Sequence, residues 1–312
     1  MTKEQPSWLE RFWAVVRYEM LWNIRKKMFI GALIFAFIFA TITLVLPGSF
    51  GVSQNPYFVV SFSAGSLTFV LFAIVTSMYS ISGEYEKGTI VPLLTKPVSR
   101  TMVFLGKLFA IFIVIIATYL VLFTYTVVGG IIVYGPQNDL YLAPLTLIGD
   151  ILGTFIWVGV VLAAGIISKN SLLAILTAFG LFVALGIGGG LVSQLSDNPS
   201  ALSYIPGSGA SGTLNIAGGQ NMTIANVTVN TFSTVSTGTD GIGVNLVKCI
   251  LYPNANVSFY YRNVFNLTEP PRLLYTESIT LITVRSIVFA ILYIEILLLV
   301  ALFAFKRWQI AE

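Results

Sequence analysis

Six apolar runs, near residues 28–46, 58–81, 102–134, 144–167, 171–195 and 279–305, constrain this chain more than anything else in it. Each is long enough to cross a bilayer, which takes about 20 mostly apolar residues. In hydrocarbon, backbone N–H and C=O groups must find partners within the protein, so runs of this length become helices. Of the 312 residues, 56% are hydrophobic and only 10% charged, whereas soluble proteins carry about 25% charged residues. The expected fold is an all-α polytopic membrane protein with six transmembrane helices. The third run is too long for a straight crossing, so it either projects beyond the membrane or begins with a short surface helix. The first follows 27 residues of other sequence and exceeds the apolar core of a cleaved leader, about 7–15 residues.

Basic residues sit at the ends of these runs. Arg25, Lys26 and Lys27 precede the first, and Lys87, Lys96, Arg100 and Lys107 surround the junction of the second and third. Lys169 lies between the fourth and fifth, and Lys306 and Arg307 follow the sixth. The alternate connections, 47–57 and 135–143, contain no Lys or Arg. The positive-inside bias therefore puts both termini in the cytoplasm of a multi-pass cell-membrane protein. The net charge of +4 is spread along the chain rather than gathered into a nucleic-acid patch. Histidine is absent and Cys249 is the sole cysteine. No metal site and no intrachain disulfide are expected, and the commonest general base is missing.

Residues 196–278 then lie outside. They are rich in Ser, Thr, Asn and Gly, and alternating patches at Val227-Thr228-Val229 and Val257-Ser258-Phe259-Tyr260-Tyr261 suggest short strands. The segment reads as a small β-rich extracellular domain or a folded cap on the spans. The expected division is 1–195 for an N-terminal helix and five spans, 196–278 for this domain, and 279–312 for the sixth span and C-terminus. N-x-S/T acceptors occur at Asn221, Asn226, Asn256 and Asn266 and nowhere else. Composition alone would produce some of them, but their confinement to the outer segment leads us to expect glycosylation. That would indicate an archaeal or eukaryotic cell, of which we expect the archaeal.

Leu9, Trp13, Val16, Met20 and Ile24 recur at helical spacing within residues 7–27, among Arg11, Arg17, Arg25, Lys26 and Lys27. Such a stretch suits an amphipathic helix lying in the cytoplasmic interface; the alternative is a simple extension of the first span. Between the second and third runs, residues 83–97 form a charged, helix-sized insert. Glu84, Glu86 and Lys87 crowd its first turn, Ile90, Leu93 and Leu94 make one apolar face, and Lys96-Pro97 ends it. Its bland reading is a solvated connecting loop.

The run Glu84-Tyr85-Glu86-Lys87-Gly88-Thr89-Ile90, followed by Leu93-Leu94, Pro97-Val98-Ser99-Arg100 and Gly106-Lys107, resembles the signature of ABC transporter permeases of the type-2 export family. The likeness extends to the six spans, the amphipathic N-terminal helix and the large loop between spans five and six. It implies that residues 83–97 are a coupling helix docking on an ATPase subunit. Glu84, Glu86, Lys87, Gly88, Thr89, Leu93 and Leu94 would belong to that contact, with Pro97 and Arg100 at the return into span three. Tyr85 stands where the family often has a charged residue. The resemblance further implies a dimer of permeases with two ABC ATPase subunits, a path near spans two and five, and export by alternating access. No phosphate-binding loop is present: Gly83 and Gly88 have the glycine spacing, but Thr89 and Ile90 follow. ATP and Mg would be held by the partner ATPase, with no cofactor in this chain.

Asp150, Arg285 and Glu295 fall inside apolar runs, where ionisable groups are costly and mark function by default. Asp150 and Arg285 have similar estimated depth and suggest an ion pair, whereas Glu295 sits near mid-span. Gly186, Gly188, Gly189 and Gly190, late in the fifth run, suit either a gate or close helix packing. The competing class is an ATPase-independent anchor or receptor displaying a glycosylated outer domain. An intramembrane enzyme is disfavoured by the missing histidine and by the different depths of the two acids.

Overall fold

Backbones in the apolar runs pair with themselves, and the result is a helical bundle. The computed structural model describes residues 7–49, 57–64, 66–88, 99–195, 199–208, 213–215, 221–224, 227–230, 241–261 and 272–307. Its helices are α1 (Trp8–Arg25), α2 (Lys27–Ser49), α3 (Phe58–Ser61), α4 (Ser66–Ser77), α5 (Ser82–Glu86), α6 (Arg100–Tyr134), α7 (Ala143–Ser168), α8 (Ser171–Leu195), α9 (Ile242–Leu251) and α10 (Ile279–Arg307). Among the described residues, six segments are long and apolar enough to cross a membrane: Lys27–Val45, Leu67–Glu86, Arg100–Tyr134, Leu140–Ser168, Ser171–Gly189 and Ile279–Arg307.

Span four, α7, is the axis of the bundle. It packs against α4, α8, α9 and α10, and its Trp157, Val158 and Ile166 are fully enclosed. Helices α8 and α10 leave most of their apolar surface exposed, the surface that lipid or another subunit would cover.

Helix α1 is separate from span one, because Lys26 between them is extended. A capping box starts it, with Ser7 and Glu10 satisfying each other's backbone N–H groups. Its protein-facing stripe is Val16, Glu19 and Asn23, while Leu9, Trp13 and Ile24 stay exposed. The apolar face is thus split: Leu9, Trp13 and Ile24 are exposed, while Val16 packs on the bundle beside Glu19 and Asn23. Helix α6 runs unbroken for 35 residues, about 52 Å at a rise of ~1.5 Å per residue. The third run is thus one continuous helix from Arg100, with no separate surface helix within it.

Span two departs from the expected single helix over 58–81. Its backbone is non-helical at Phe62–Ala64, between α3 and α4. The insert also differs from expectation: its helix stops at Glu86, where Gly88 takes φ +66°. Glycine adopts that left-handed conformation without the penalty other residues meet. Thr89, Leu93, Leu94 and Pro97 lie outside the described residues.

Between spans five and six, β1 (Thr213–Asn215), β4 (Asn256–Tyr261) and β5 (Arg272–Ser278) form an antiparallel sheet of order β1-β4-β5. A hairpin pairs β2 (Asn221–Ile224) with β3 (Val227–Asn230). Strands occur where the alternating patches placed them. Helix α9 was not expected. It is buried over most of its length and packs on α3, α7 and α10. Of the two readings of this segment, that packing favours a cap on the spans. Asn221 opens β2 and the exposed Asn256 opens β4; Asn226 and Asn266 lie outside the described residues.

Candidate functional site

At the lysine-rich end of the bundle, three elements meet on one ammonium. Lys107, in the third turn of α6, contacts the Glu19 carboxylate of α1 and lies 2.8 Å from Glu84 Oε1 of α5. Lys107 and Glu19 are almost fully enclosed, and the Glu84 side chain is 20% exposed. Helix α1 comes this close because residue 106 is glycine: a Cβ there would sit 2.9 Å from Val15 Cγ1. Charges buried together persist only when paired, so the cluster fixes the register of α1, α5 and α6. Beside it, Lys26 donates to Asn23 Oδ1 at 2.6 Å and covers the Trp22 ring. Burial holds the Lys26 ammonium down at about 7, opposed by Glu19 and assisted by Lys107 and Lys87.

The same short helix also grips the turn between spans four and five. Glu86 Oε1 accepts from the Ser171 backbone N–H at 2.6 Å, at the start of α8. A carboxylate suits that helix N-terminus. The Ser82 and Ser171 hydroxyls are 3.0 Å apart, and Lys169 Nζ stands 5.1 Å from the centre of the Tyr85 ring. Arg100 Nη1 donates to the Lys306 carbonyl at 3.2 Å, tying the start of span three to the end of span six. Lys87 and Gly88 are exposed. Glu84, implied above to belong to the ATPase contact, thus faces Lys107 instead, and among the described residues of the insert the exposed charges are Glu86 and Lys87.

Asp150 and Arg285 do not pair. Arg285 makes two bonds to the Glu277 carboxylate, both 2.9 Å, donates to Ser203 Oγ at 2.7 Å, and covers the Tyr204 ring. Asp150 instead serves the break in span two. Its Oδ1 accepts from Ser63 Oγ at 2.9 Å and its Oδ2 from the Ala64 backbone N–H at 3.1 Å. Interrupted backbone inside a membrane protein needs such a partner. One turn along α7, Thr154 Oγ1 lies 2.7 Å from Tyr119 OH.

Glu295 is exposed on α10, midway along the span. Among the glycines of α8, a Cβ at Gly186 or Gly188 would meet nothing within 4 Å, while one at Gly189 would collide with the tip of Ile205; Gly190 lies within the same helix. Of Gly186, Gly188 and Gly189, only Gly189 is closely packed in the described chain. Among the described residues, no group of three His, Cys, Asp or Glu side chains is arranged to hold a metal ion.

Sequence reasoning missed Glu19 and Glu277 as partners. Glu19 carried a faint signal, since Val16, Glu19 and Asn23 share one helix face. The arrangement joins an exposed corner to α1, span three and the start of span five.

A family model described as "ABC-2 family transporter protein" matches residues 13–309. No curated protein sequence matches the chain at a significant level.

Proposed function

Since the chain belongs to the ABC-2 transporter family, matched across nearly its whole length, we propose that it is the permease subunit of an ATP-driven exporter. In this family the ATPase sits in separate subunits. The proposed assembly is two permeases, identical or paralogous, with two ABC ATPase subunits that bind ATP and Mg. Alternating access would move the spans between inward- and outward-facing states. The observation that carries this reading is the Glu84–Gly88 corner. It exposes Glu86, Lys87 and Gly88, yet it is tied to α1, span three and the start of span five. A solvated loop needs no such anchoring; an element that receives force does.

On the same reading, Thr89, Leu93, Leu94, Pro97 and Arg100 complete the ATPase-facing insert and its return. Both termini are cytoplasmic, α1 lies in the interface with Leu9, Trp13 and Ile24 toward lipid, and residues 196–278 face outward with their four acceptors. Glu295 and the open face at Gly186 and Gly188 would look onto the second permease or the cargo path.

Affinity purification of the tagged chain from its native membranes tests this. We expect an ABC ATPase to co-purify, Glu86→Ala to weaken that association, and the permease to lose mass on deglycosylation. A chain that purifies without an ATPase, with or without glycans, would be an anchor or receptor instead.

A further inference from the structure

The break in span two, the side of span four and the first turn of α9 converge on one carboxylate. Asp150 already accepts from Ser63 and Ala64 of the break. Gly241, the residue that caps α9, lies against the same group: a Cβ there would sit 2.7 Å from Ser63 Oγ and 3.9 Å from Asp150 Oδ1. One residue before Asp150, a Cβ on Gly149 would come 2.1 Å from the Gly243 backbone nitrogen. Glycine at 149 and 243 is what lets α9 seat in this groove.

Helix α9 has 10 residues and no side chain capping its N-terminus. Its first-turn N–H groups carry partial positive charge and favour a nearby anion. The buried carboxylate thus has two hydrogen-bond donors and a helix N-terminus around it. The adjoining cavity, about 20 Å³, is lined mostly by apolar side chains such as Val59, Phe62 and Leu122 and makes a poor cation site. Deeper in, Ile242 joins Ile156 of span four and Ala290 of span six in one buried cluster. Thr283 of span six donates to the Asn245 carbonyl at 3.2 Å. A helix from the connecting segment therefore fills the space between spans four and six, seated by close backbone packing at Gly149 and Gly243 and by the Thr283 bond.

We propose that Asp150 is the clasp of an outer gate. It fixes the interrupted backbone of span two and the first turn of α9 in one place, and the gate opens when α9 withdraws from between spans four and six. The word gate rests on the permease reading above; the clasp does not.

Cys249, the only cysteine, lies half-buried on α9 and reports its docking. The test is the rate at which a charged maleimide labels Cys249 in the purified, detergent-solubilised chain. Asp150→Asn keeps the shape but removes the negative charge beside the start of α9, and should raise the rate about two- to fivefold, as expected for an anion lost from a helix N-terminus. Gly243→Ala should raise it too, through a Cβ only 2.6 Å from the Leu145 carbonyl oxygen, without touching Asp150 or span two. Melting curves identify the variants that remain folded. If Asp150→Asn unfolds the chain, Gly241→Ala carries the test, because its Cβ would sit 2.7 Å from Ser63 Oγ and push the start of α9 off the Asp150 carboxylate. Wild-type labelling in the folded variants overturns the clasp. In the complex with its ATPase, trapping with ATP and vanadate should change the wild-type rate, and an unchanged rate overturns the gate. Failure to assemble with an ATPase is seen separately, in co-purification, and bears on the permease reading alone.

Discussion

Both ends of the span bundle bury a carboxylate, and they neutralise it in different ways. At the lysine-rich end, Glu19 and Glu84 share Lys107, so opposite charges hold three elements together. At the other end, Asp150 has the Ser63 hydroxyl, the Ala64 N–H and the approach of α9, with no ionic partner among the described residues. An ion pair away from water is strong while intact and costly to break. Neutral donors are weaker and more easily exchanged. The first arrangement suits a joint that must transmit a push without slipping. The second suits one that must let go.

Removing the shared cation is the harshest way to break this contrast. Lys107→Met leaves the enclosed Glu19 carboxylate without its cation beside the part-buried Glu84 and should cost about 3–5 kcal/mol of stability. The outcome is a large fall in melting temperature or the loss of folded protein, and adding Glu19→Gln should recover part of it. A Lys107→Met chain as stable as wild type would mean the cluster is open to water.

A milder intervention concerns Arg285. Its bidentate bond to Glu277 joins side chains only 15% and 17% exposed. A double-mutant cycle between them should show a coupling of about 1–2 kcal/mol in detergent-solubilised unfolding. The corresponding cycle between Asp150 and Arg285 should be additive. Coupling in the second cycle and none in the first would restore the pairing suggested by depth.

The smallest effect is expected at Glu295. It is exposed in the single chain, so Glu295→Gln should change stability by no more than about 0.5 kcal/mol. If the residue faces the path, ATP turnover of the assembled complex should nevertheless shift. Turnover and stability both at wild-type values would remove Glu295 from the mechanism.

The spans were readable from sequence because their signal is local: apolar length alone specifies a helix in lipid. The ends of α7, α8 and α10 fall within two residues of those expected. The break in span two was hidden, since Phe62-Ser63-Ala64 contains no proline and its partner lies 87 positions away for Ser63. Likewise Lys107 meets a glutamate 88 residues upstream. Helix α9, at 10 residues, is too short to announce itself inside a segment dominated by strand and turn residues. Depth along a helix suggested that Asp150 and Arg285 pair, but depth says nothing of the direction each side chain faces. The motif around Glu84 was visible as a pattern; that Glu84 turns inward was not.

The length of α6 has a consequence for the surrounding lipid. A bilayer offers about 30 Å of hydrocarbon, well short of a helix of 35 mostly apolar residues. Such a mismatch is met by tilting, by deforming the bilayer, or by covering the surplus. Here the surplus has a cover at one end: Phe12 and Trp13 of α1 lie against Phe109, with ring centres 6.0 and 5.8 Å apart. Helix α1 thus stands in for lipid along the first turns of span three. This cover moves with the protein, so one side of the apolar surplus of span three stays shielded wherever the membrane boundary falls.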